Sequence, residues 1–233
     1  MHLLKNTLTP VYHLLFPNLC NGCGNELLSN EATICTTCIS TLPLTKFHLI
    51  INNPFEQKLA GRVNIEHATA MYYFNKGGVI QELLHGLKYQ QKQAIGALLG
   101  MYFAKQLLDV RWIADIDIVI PIPLSKQKMK MRGFNQSTCI GESFAAHLNK
   151  PLDTTSVVRL KNTASQTHKT RVERMDNVKD AFMVTSPNTL QHKHIMLIDD
   201  VVTTGATLEE CAQAILKIDG TKVSIVTLAY AIE

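Results

Sequence analysis

The sequence lacks any apolar run long enough to cross a membrane as a helix. A spanning helix needs roughly 20 consecutive apolar residues, and polar residues interrupt every apolar stretch of the 233-residue chain before that length. The N-terminal segment MHLLKNTLTPVYHLLFPNLC is only mildly apolar, and Pro10, His13 and Pro17 break it. It has one lysine and no small-residue cleavage signature, so we predict an unprocessed cytoplasmic protein. A weak peripheral contact of its Leu and Phe residues with a membrane stays open.

Two common nucleotide-binding signatures are also missing. The chain contains no G-x4-G-K-[ST] segment, which excludes a Walker A phosphate loop. The turn after HIMLIDD lacks the G-x-G-x-x-G fingerprint that places a dinucleotide at the start of a helix. A phosphate site in this chain must therefore use another kind of loop.

The charge of the chain is concentrated in one block. The net charge is +4, but residues 121–180 alone hold eleven Lys or Arg against five Asp or Glu. Clustered positive charge in a nearly neutral protein indicates an anionic ligand, either phosphates or nucleic acid. The alternative is a solvated loop face without a ligand.

Four of the six cysteines form a C-x2-C-x11-C-x2-C pattern near the N-terminus: Cys20, Cys23, Cys35 and Cys38. This spacing favours a tetrahedral Zn2+ site, and four thiolates make the site closed and structural. Two disulfides or a redox pair are the alternatives, and the missing secretory signal argues against stable disulfides. We predict a zinc-ribbon-like module over residues 1–45, followed by one larger domain over residues 46–233.

Apolar strands alternate with helical patterns across residues 68–233. This rhythm predicts an α/β fold with a doubly wound parallel sheet, in which ligands bind beyond the carboxyl ends of the strands. The apolar segment DIDIVIPIPL is typical of an interior strand. The residues that follow it alternate in charge, so we expect a mobile basic loop that carries Lys126, Lys128, Lys130 and Arg132. Lys88, at a break between two predicted helices, is either a surface lysine or a phosphate contact.

The segment HIMLIDDVVTTGATLEEC reads as a buried strand, two adjacent carboxylates, a short loop and a helix. The backbone N–H groups of Thr203 to Thr207 should face outward at the helix start, where they favour an anion. Asp199 and Asp200 could then accept hydrogen bonds from hydroxyl groups of the same ligand. The alternative is an acidic N-terminal cap on a structural helix, for which one Asp would suffice.

The Asp-Asp-x-x-Thr-Thr-Gly-x-Thr pattern resembles the phosphoribosyl-pyrophosphate (PRPP) loop of type I phosphoribosyltransferases. The resemblance implies that Asp199 and Asp200 hold the ribose 2- and 3-hydroxyls. It implies that the 5-phosphate is held by the loop residues Thr203, Thr204, Gly205, Ala206 and Thr207. Purine-salvage members carry an acidic general base where this chain has Thr203, so the resemblance does not extend to that mechanism.

Three further segments resemble the ComF family: the four-cysteine front, PIPLSKQKMKMRGFNQS and RLKNTASQTHKTRVERMDNVKDAF. That family is associated with natural transformation, in which single-stranded DNA is moved into the cytoplasm or handled there. The basic residues expected to contact pyrophosphate or the nucleic-acid backbone are Lys88, Lys126, Lys128, Lys130, Arg132, Arg171 and Arg174.

Two functions follow from these resemblances. The first is a DNA uptake and handling protein that binds single-stranded DNA and PRPP or a related ligand, with a DNA-translocating helicase or uptake machinery as partner. The second is an active phosphoribosyltransferase that moves phosphoribose to an unknown nitrogen acceptor, with Mg2+ clamping the pyrophosphate. No segment indicates an acceptor pocket, and no catalytic residue is predicted.

Overall fold

The computed structural model of the chain describes residues 17–160 and 181–232. The helices in this part are α1 (Thr36–Ser40), α2 (Pro54–Leu59), α3 (Val79–Tyr89), α4 (Gln93–Leu107), α5 (Lys126–Arg132), α6 (Gln136–His147), α7 (Pro187–Leu190) and α8 (Ala206–Leu216). The strands are β1 (Ala68–Phe74), β2 (Ile118–Pro121), β3 (Val157–Arg159), β4 (Phe182–Val184), β5 (His194–Val202) and β6 (Lys222–Ala231). No helix of the described residues is both long and apolar enough to span a bilayer.

A four-stranded parallel sheet forms the centre of the fold, in the order β1-β6-β5-β2. Residues of β5 alternate between two apolar layers. Ile195 and Leu197 pack with α2 and α8 on one face, whereas Met196 and Ile198 pack with α3, α4 and α6 on the other. Helices on both faces explain why β5 is apolar from Ile195 to Ile198, and they confirm the predicted doubly wound fold.

Strand β2 lies at the end of the sheet order, so its predicted interior position was wrong. Its outer edge is nevertheless covered by the chain that follows α6. The amide of Val119 donates to the carbonyl of Pro151 at 2.9 Å, and the amide of Asp153 donates back to Val119 at 2.9 Å. This short pairing explains the apolar sequence, because both faces and the outer edge of β2 are shielded from water.

The segment KQKMKMR forms helix α5, so the predicted mobile basic loop was wrong. The Ser125 side chain caps the helix by accepting a 3.3 Å hydrogen bond from the Lys128 amide. In a helix, residues four apart share a face. Lys128 and Arg132 are half-buried as a pair, whereas Lys126 and Lys130 are exposed. The alternation in sequence therefore becomes an inner and an outer pair of cations.

Strands β3 and β4 pair with each other in an antiparallel ribbon outside the main sheet. The ribbon is therefore separate from the parallel strand order. Phe182 of β4 is buried in the core on the α8 side, and the guanidinium of Arg159 lies 5.2 Å from the centre of its ring. The ribbon thus holds Arg159 near the carboxyl edge of the sheet.

The cysteine segment packs onto the face of the sheet that carries α3. Cys20, Cys35 and Cys38 belong to the same apolar cluster as the buried leucines of α3. The amide of Thr45 donates to Met71 at 3.0 Å, which joins the end of this segment to β1. The domain boundary at residue 45 stays a prediction.

Candidate functional site

Asp199 and Asp200 lie near the carboxyl end of β5, and each has a different set of partners. The hydroxyl of Ser137, in the first turn of α6, donates a 2.7 Å hydrogen bond to Asp199 Oδ1. The backbone amide of Asp200 donates to the same oxygen at 2.9 Å. Lys88, at the end of α3, places its Nζ 2.8 Å from Asp200 Oδ2. The side chains of this ion pair are 18% and 11% exposed, so water screens it only weakly.

Asp199 is a weaker acid than an ordinary aspartate. Burial, followed by the negative charge of Asp200, raises the pKa of Asp199 from 3.8 to about 6. Hydrogen bonds from Ser137 and from the Asp200 amide, and the charge of Lys88, oppose this rise. Asp199 is therefore mainly ionised at neutral pH and becomes protonated in weakly acidic solution.

The turn after β5 presents backbone amides that have no internal partner. Within the described ranges, no group accepts a hydrogen bond from the amides of Thr203, Thr204, Gly205 or Thr207. In the same ranges, the Ala206 amide donates only to the Thr204 hydroxyl, at 3.4 Å. Residues 201–208, together with Asp199, line a concavity of about 60 Å³. Unpartnered N–H groups and the dipole of α8 make this concavity favourable for an anion.

Gly205 allows the turn to take this shape. Its φ of 79° lies in the left-handed region, which strains residues that carry a Cβ. A Cβ at this position would also lie 3.0 Å from Leu59 Cδ2. The conformation of Gly205 and its contact with α2 together fix where the loop ends and α8 begins.

The inner cations of α5 lie close to the carboxylates. Burial lowers the pKa of the Lys128 ammonium, and the positive charges of Arg159 and Arg132 lower it further, whereas Asp199 acts in the opposite direction. The site therefore holds two adjacent carboxylates beside several cations that repel one another. An added anion would relieve this repulsion.

Arg132 is held in position by two of its neighbours. Its Nη1 donates to Gln136 Oε1 at 2.7 Å, and its guanidinium lies 5.5 Å from the centre of the exposed Tyr89 ring. Its buried Nε has no hydrogen-bond partner among the residues that the structure describes. Tyr89 and Arg132 thus bring an exposed aromatic ring and a cation together, next to Lys88.

The structure brings together only part of the predicted basic set. Lys88, Lys128 and Arg132 lie near the carboxylates, whereas Lys126 and Lys130 are on the exposed face of α5. The other two predicted cations, Arg171 and Arg174, lie outside the described residues.

The sequence reasoning missed three residues at this site: Ser137, Lys58 and Arg62. The Lys58 ammonium donates to the Thr203 carbonyl, and the Arg62 guanidinium donates to the Thr204 carbonyl. These contacts join residues 145 and 142 positions apart, so no local pattern could have indicated them. Ser137 lies in the RGFNQS segment, two residues after Asn135, the N-cap of α6, and this segment was the one available signal.

A larger cavity of about 530 Å³ lies at the opposite edge of the sheet. Residues before β1 and before β2, including Glu56, His67 and Trp112, line it. The amino ends of parallel strands meet at that edge, so this cavity is separate from the carboxylates and from the turn after β5.

The four cysteines are arranged as a cluster that could hold a metal ion. Their sulfur atoms all lie within 4.8 Å of one another, and Cys23 Sγ and Cys35 Sγ are 3.7 Å apart. A tetrahedral ion with metal–sulfur bonds of about 2.3 Å separates its sulfurs by about 3.8 Å. All four are free thiols. The arrangement therefore fits one tetrahedral ion.

Backbone amides favour the thiolate form of Cys20. The amides of Gly22 and Cys35 donate to its sulfur at 3.3 Å and 3.2 Å. Burial acts to raise the pKa of Cys20, but hydrogen bonds from Cys35, Cys23 and Gly22 outweigh it and lower the pKa to about 6. The thiolate is the form that binds metals.

Comparison with known proteins matches residues 136–233 to the phosphoribosyl transferase domain. These residues include α6, β5, the turn after β5 and α8. A solved structure similar to this chain is glutamine PRPP amidotransferase from B. subtilis complexed with ADP and GMP. It is 13% identical, with a TM-score of 0.39, over 57% of this chain and 25% of that chain.

Two curated relatives extend the similarity beyond this domain. The DNA utilization protein YhgH of Salmonella typhi is 33% identical over 138 residues, which cover 58% of this chain and 60% of that protein. Competence protein F of Haemophilus influenzae is 25% identical over 216 residues, which cover 91% of this chain and 84% of that protein. The match thus spans less than two thirds of the Salmonella typhi protein. The transferase-domain match, the similarity to a competence protein and the four-cysteine front agree with the resemblance to the ComF family, and the chain has a phosphoribosyltransferase-like fold.

Proposed function

We propose that the chain handles DNA during uptake and binds a ribose 5-phosphate group, as in PRPP, at the turn after β5. The observation that carries this proposal is the set of amides at Thr203, Thr204 and Gly205, which have no partner among the described residues and lie directly beside two carboxylates. The amides and the threonine hydroxyls hold the phosphate. Asp199 and Asp200 accept hydrogen bonds from the sugar hydroxyls.

Lys88 has a particular place in this proposal. In the structure its ammonium occupies one oxygen of Asp200, at 2.8 Å. A sugar hydroxyl that binds Asp200 shares that carboxylate with Lys88, which keeps the negative charge compensated. With PRPP as the ligand, Mg2+ would accompany the pyrophosphate, and Lys128 and Arg132 would help to neutralise the charge of the pyrophosphate.

The DNA part of the proposal is supported by the names of the relatives and by the charge of the site. The relatives are called a DNA utilization protein and a competence protein. Exposed Lys126 and Lys130 can meet phosphates, and the exposed Tyr89 ring can stack on a base. Single-stranded DNA is therefore the proposed partner, in the cytoplasm, together with a helicase or other uptake machinery.

The cysteine cluster is proposed to hold Zn2+ in a structural role. Four thiolates fill a tetrahedral shell and leave no position for a substrate. Bound zinc would fix the turns at Cys20–Cys23 and Cys35–Cys38 and complete the packing of this segment against α3.

A melting experiment tests the sugar-phosphate site. PRPP with Mg2+ should raise the melting temperature of the wild-type protein by about 5–10 °C at a hundredfold excess over its Kd. Asp200→Asn should lose most of this shift. No shift with PRPP or ribose 5-phosphate would contradict the proposed ligand.

A binding titration tests the DNA part. A labelled single-stranded oligonucleotide should bind at low salt, and log K should fall linearly with log salt concentration. Removing Lys126 and Lys130 together should reduce that slope by about 1.4, from about 0.7 for each phosphate contact. An oligonucleotide that fails to bind at low salt would contradict the DNA part and leave the sugar-phosphate site standing.

The second candidate is an active phosphoribosyltransferase, which the adjacent carboxylates beside the open amides favour. It would release pyrophosphate from PRPP when a nitrogen acceptor is present. Pyrophosphate release measured across a panel of bases and amines tests this candidate, and Asp200→Asn should abolish any enzymatic release.

A further inference from the structure

Two cations bind carbonyl groups of the turn after β5 (residues 203–207), which we call the phosphate loop. Lys58 Nζ, at the end of α2, lies 2.7 Å from the Thr203 carbonyl oxygen. Arg62 Nη1, three residues beyond α2, lies 2.8 Å from the Thr204 carbonyl oxygen. Both cations come from the side of the loop that faces α2, in a part of the chain outside the matched transferase domain.

Peptide geometry links these carbonyls to the amides that face the ligand. A trans peptide is planar, so the carbonyl of one residue and the N–H of the next point in opposite directions. Fixing the Thr203 carbonyl toward Lys58 turns the Thr204 N–H away from α2. Fixing the Thr204 carbonyl toward Arg62 turns the Gly205 N–H the same way. These two amides have no other partner in the described part of the chain.

Arg62 is itself held by several contacts. Its Nη2 pairs with the Glu209 carboxylate in the first turn of α8, and its Nη1 also donates to the Lys58 carbonyl at 3.2 Å. Gln213 donates to the Arg62 carbonyl at 3.0 Å. The guanidinium therefore bridges the end of α2, the loop and the start of α8.

We infer that Lys58 and Arg62 are positioning residues that pre-orient the loop amides for the 5-phosphate. This inference rests on the proposed function, because it concerns how the same loop binds its ligand. Neither residue touches the concavity lined by residues 201–208, so their effect passes through the peptide groups. A preorganised loop loses less conformational entropy on binding and therefore binds more tightly.

Substitutions distinguish positioning from simple attraction by positive charge. Arg62→Ala and Lys58→Ala should each weaken ribose 5-phosphate binding by about tenfold. Arg62→Lys keeps the charge but loses the fork that reaches both Glu209 and Thr204, so it should not restore binding. Lys217→Ala, at the far end of α8, removes one positive charge without touching the loop and should change the Kd little.

Glu209→Ala should change the affinity for phosphate in opposite directions under the two explanations. If Arg62 acts only by its charge, removing the nearby carboxylate should tighten phosphate binding. If Arg62 acts by position, the same change frees its guanidinium and should weaken binding. The losses should also persist at high salt, which screens long-range attraction but not backbone orientation.

The experiment is calorimetric titration of the full chain with ribose 5-phosphate at low and high salt, with melting temperatures measured for every variant. Weaker binding by folded Arg62→Ala, Arg62→Lys and Glu209→Ala at both salt concentrations supports the inference. Wild-type affinity in these variants, or tighter binding by Glu209→Ala, overturns it while the proposed function stands. If the wild-type protein does not bind ribose 5-phosphate or PRPP, the proposed function fails and the inference fails with it.

Discussion

Each carboxylate of the Asp199–Asp200 pair has a distinct electrostatic environment. Asp200 is compensated by the Lys88 ammonium, whereas Asp199 accepts hydrogen bonds from the Ser137 hydroxyl and the Asp200 amide and lies beside the charge of Asp200. Burial of like charges costs folding free energy, which is common at sites that bind ligands. The pair thus lowers the stability of the fold while it provides acceptors for a ligand.

Asp199→Asn should stabilise the protein at neutral pH. Folding raises the pKa of Asp199 from 3.8 to about 6, so the folded state binds more protons in this window and the free energy of unfolding falls as pH rises through it. The asparagine keeps a side-chain oxygen for both hydrogen bonds and removes the charge. We expect a gain on the order of 2 kcal/mol at pH 8 that disappears toward pH 4, measured by urea unfolding across pH.

Asp153→Asn is the matched control with the opposite sign. Burial acts to raise the pKa of Asp153, but hydrogen bonds from Ser156 and Thr155 prevail and lower it. Its ionised form therefore stabilises the fold above its unfolded pKa, and that stability is lost as pH falls through the folded pKa. The asparagine should destabilise at neutral pH. A pH-independent gain for Asp199→Asn would contradict the assignment.

Lys88→Met should destabilise the protein by about 3 kcal/mol, because it leaves the Asp200 carboxylate buried without its cation. Lys88→Met combined with Asp200→Asn should recover part of this loss, since neither charge then remains. Chemical denaturation of the two single variants and the double variant gives the coupling energy. Strictly additive losses would show that the 2.8 Å contact contributes nothing to stability.

At the scale of elements, helix α5 and strand β5 show what the sequence could and could not predict. The strand and the break between α3 and α4 follow from local sequence patterns. Helix α5 was missed because its cations occupy every second position, which does not match a single helical face. The cations four positions apart share a face of the helix, and the Ser125 cap was the only local signal for that helix. The adjacent carboxylates and the turn that follows them could be located from the sequence because both lie within one short segment.

The rest of the site depends on contacts between distant segments. Ser137 reaches Asp199 across 62 positions, and Lys58 reaches the loop across 145 positions. A single sequence carries no signal for such pairs, since each residue alone reads as a helix or surface residue. The position of β2 at the sheet edge was missed for the same reason, because distant residues cover its outer side.

The two faces of α5 should have separable effects. Replacing Lys128 and Arg132 by alanine should weaken both PRPP and oligonucleotide binding by about tenfold or more, because Lys128 is half-buried near Asp199 and Arg132 is half-buried near Lys128. Replacing Lys126 and Lys130 by alanine should weaken oligonucleotide binding only. Both double variants lose the same charge, so equal effects on PRPP would contradict the two-faced arrangement.

At the scale of the molecule, the cysteine cluster and the phosphate loop lie on different parts of one sheet scaffold. Gly22 is packed so closely that an added Cβ would lie 2.9 Å from Val79 Cγ1, at the start of α3. Helix α3 ends at Tyr89, next to Lys88, which pairs with Asp200. The proposed zinc segment therefore supports one end of the helix whose other end reaches the carboxylates.

Removing the metal should expose the cysteine segment first. Structural zinc contributes on the order of 10 kcal/mol of apparent folding free energy to a small module. A strong chelator should therefore abolish hydrogen-exchange protection in residues 18–42, while β5 and β6 stay protected. Elemental analysis of the purified protein gives the metal content beforehand. Purified protein without zinc and with these cysteines as disulfides would contradict the metal assignment.

The central claim is that the amides of the turn after β5 bind a ribose-linked phosphate, and nuclear magnetic resonance of these amides tests it most directly. Titration of 15N-labelled protein with PRPP and Mg2+ should shift the signals of residues 203–207 strongly, Gly205 among them, with the same residues unshifted in Asp200→Asn at equal ligand concentration. Signals of this turn that stay in place while the folded wild-type protein is exposed to excess PRPP and ribose 5-phosphate would contradict the claim.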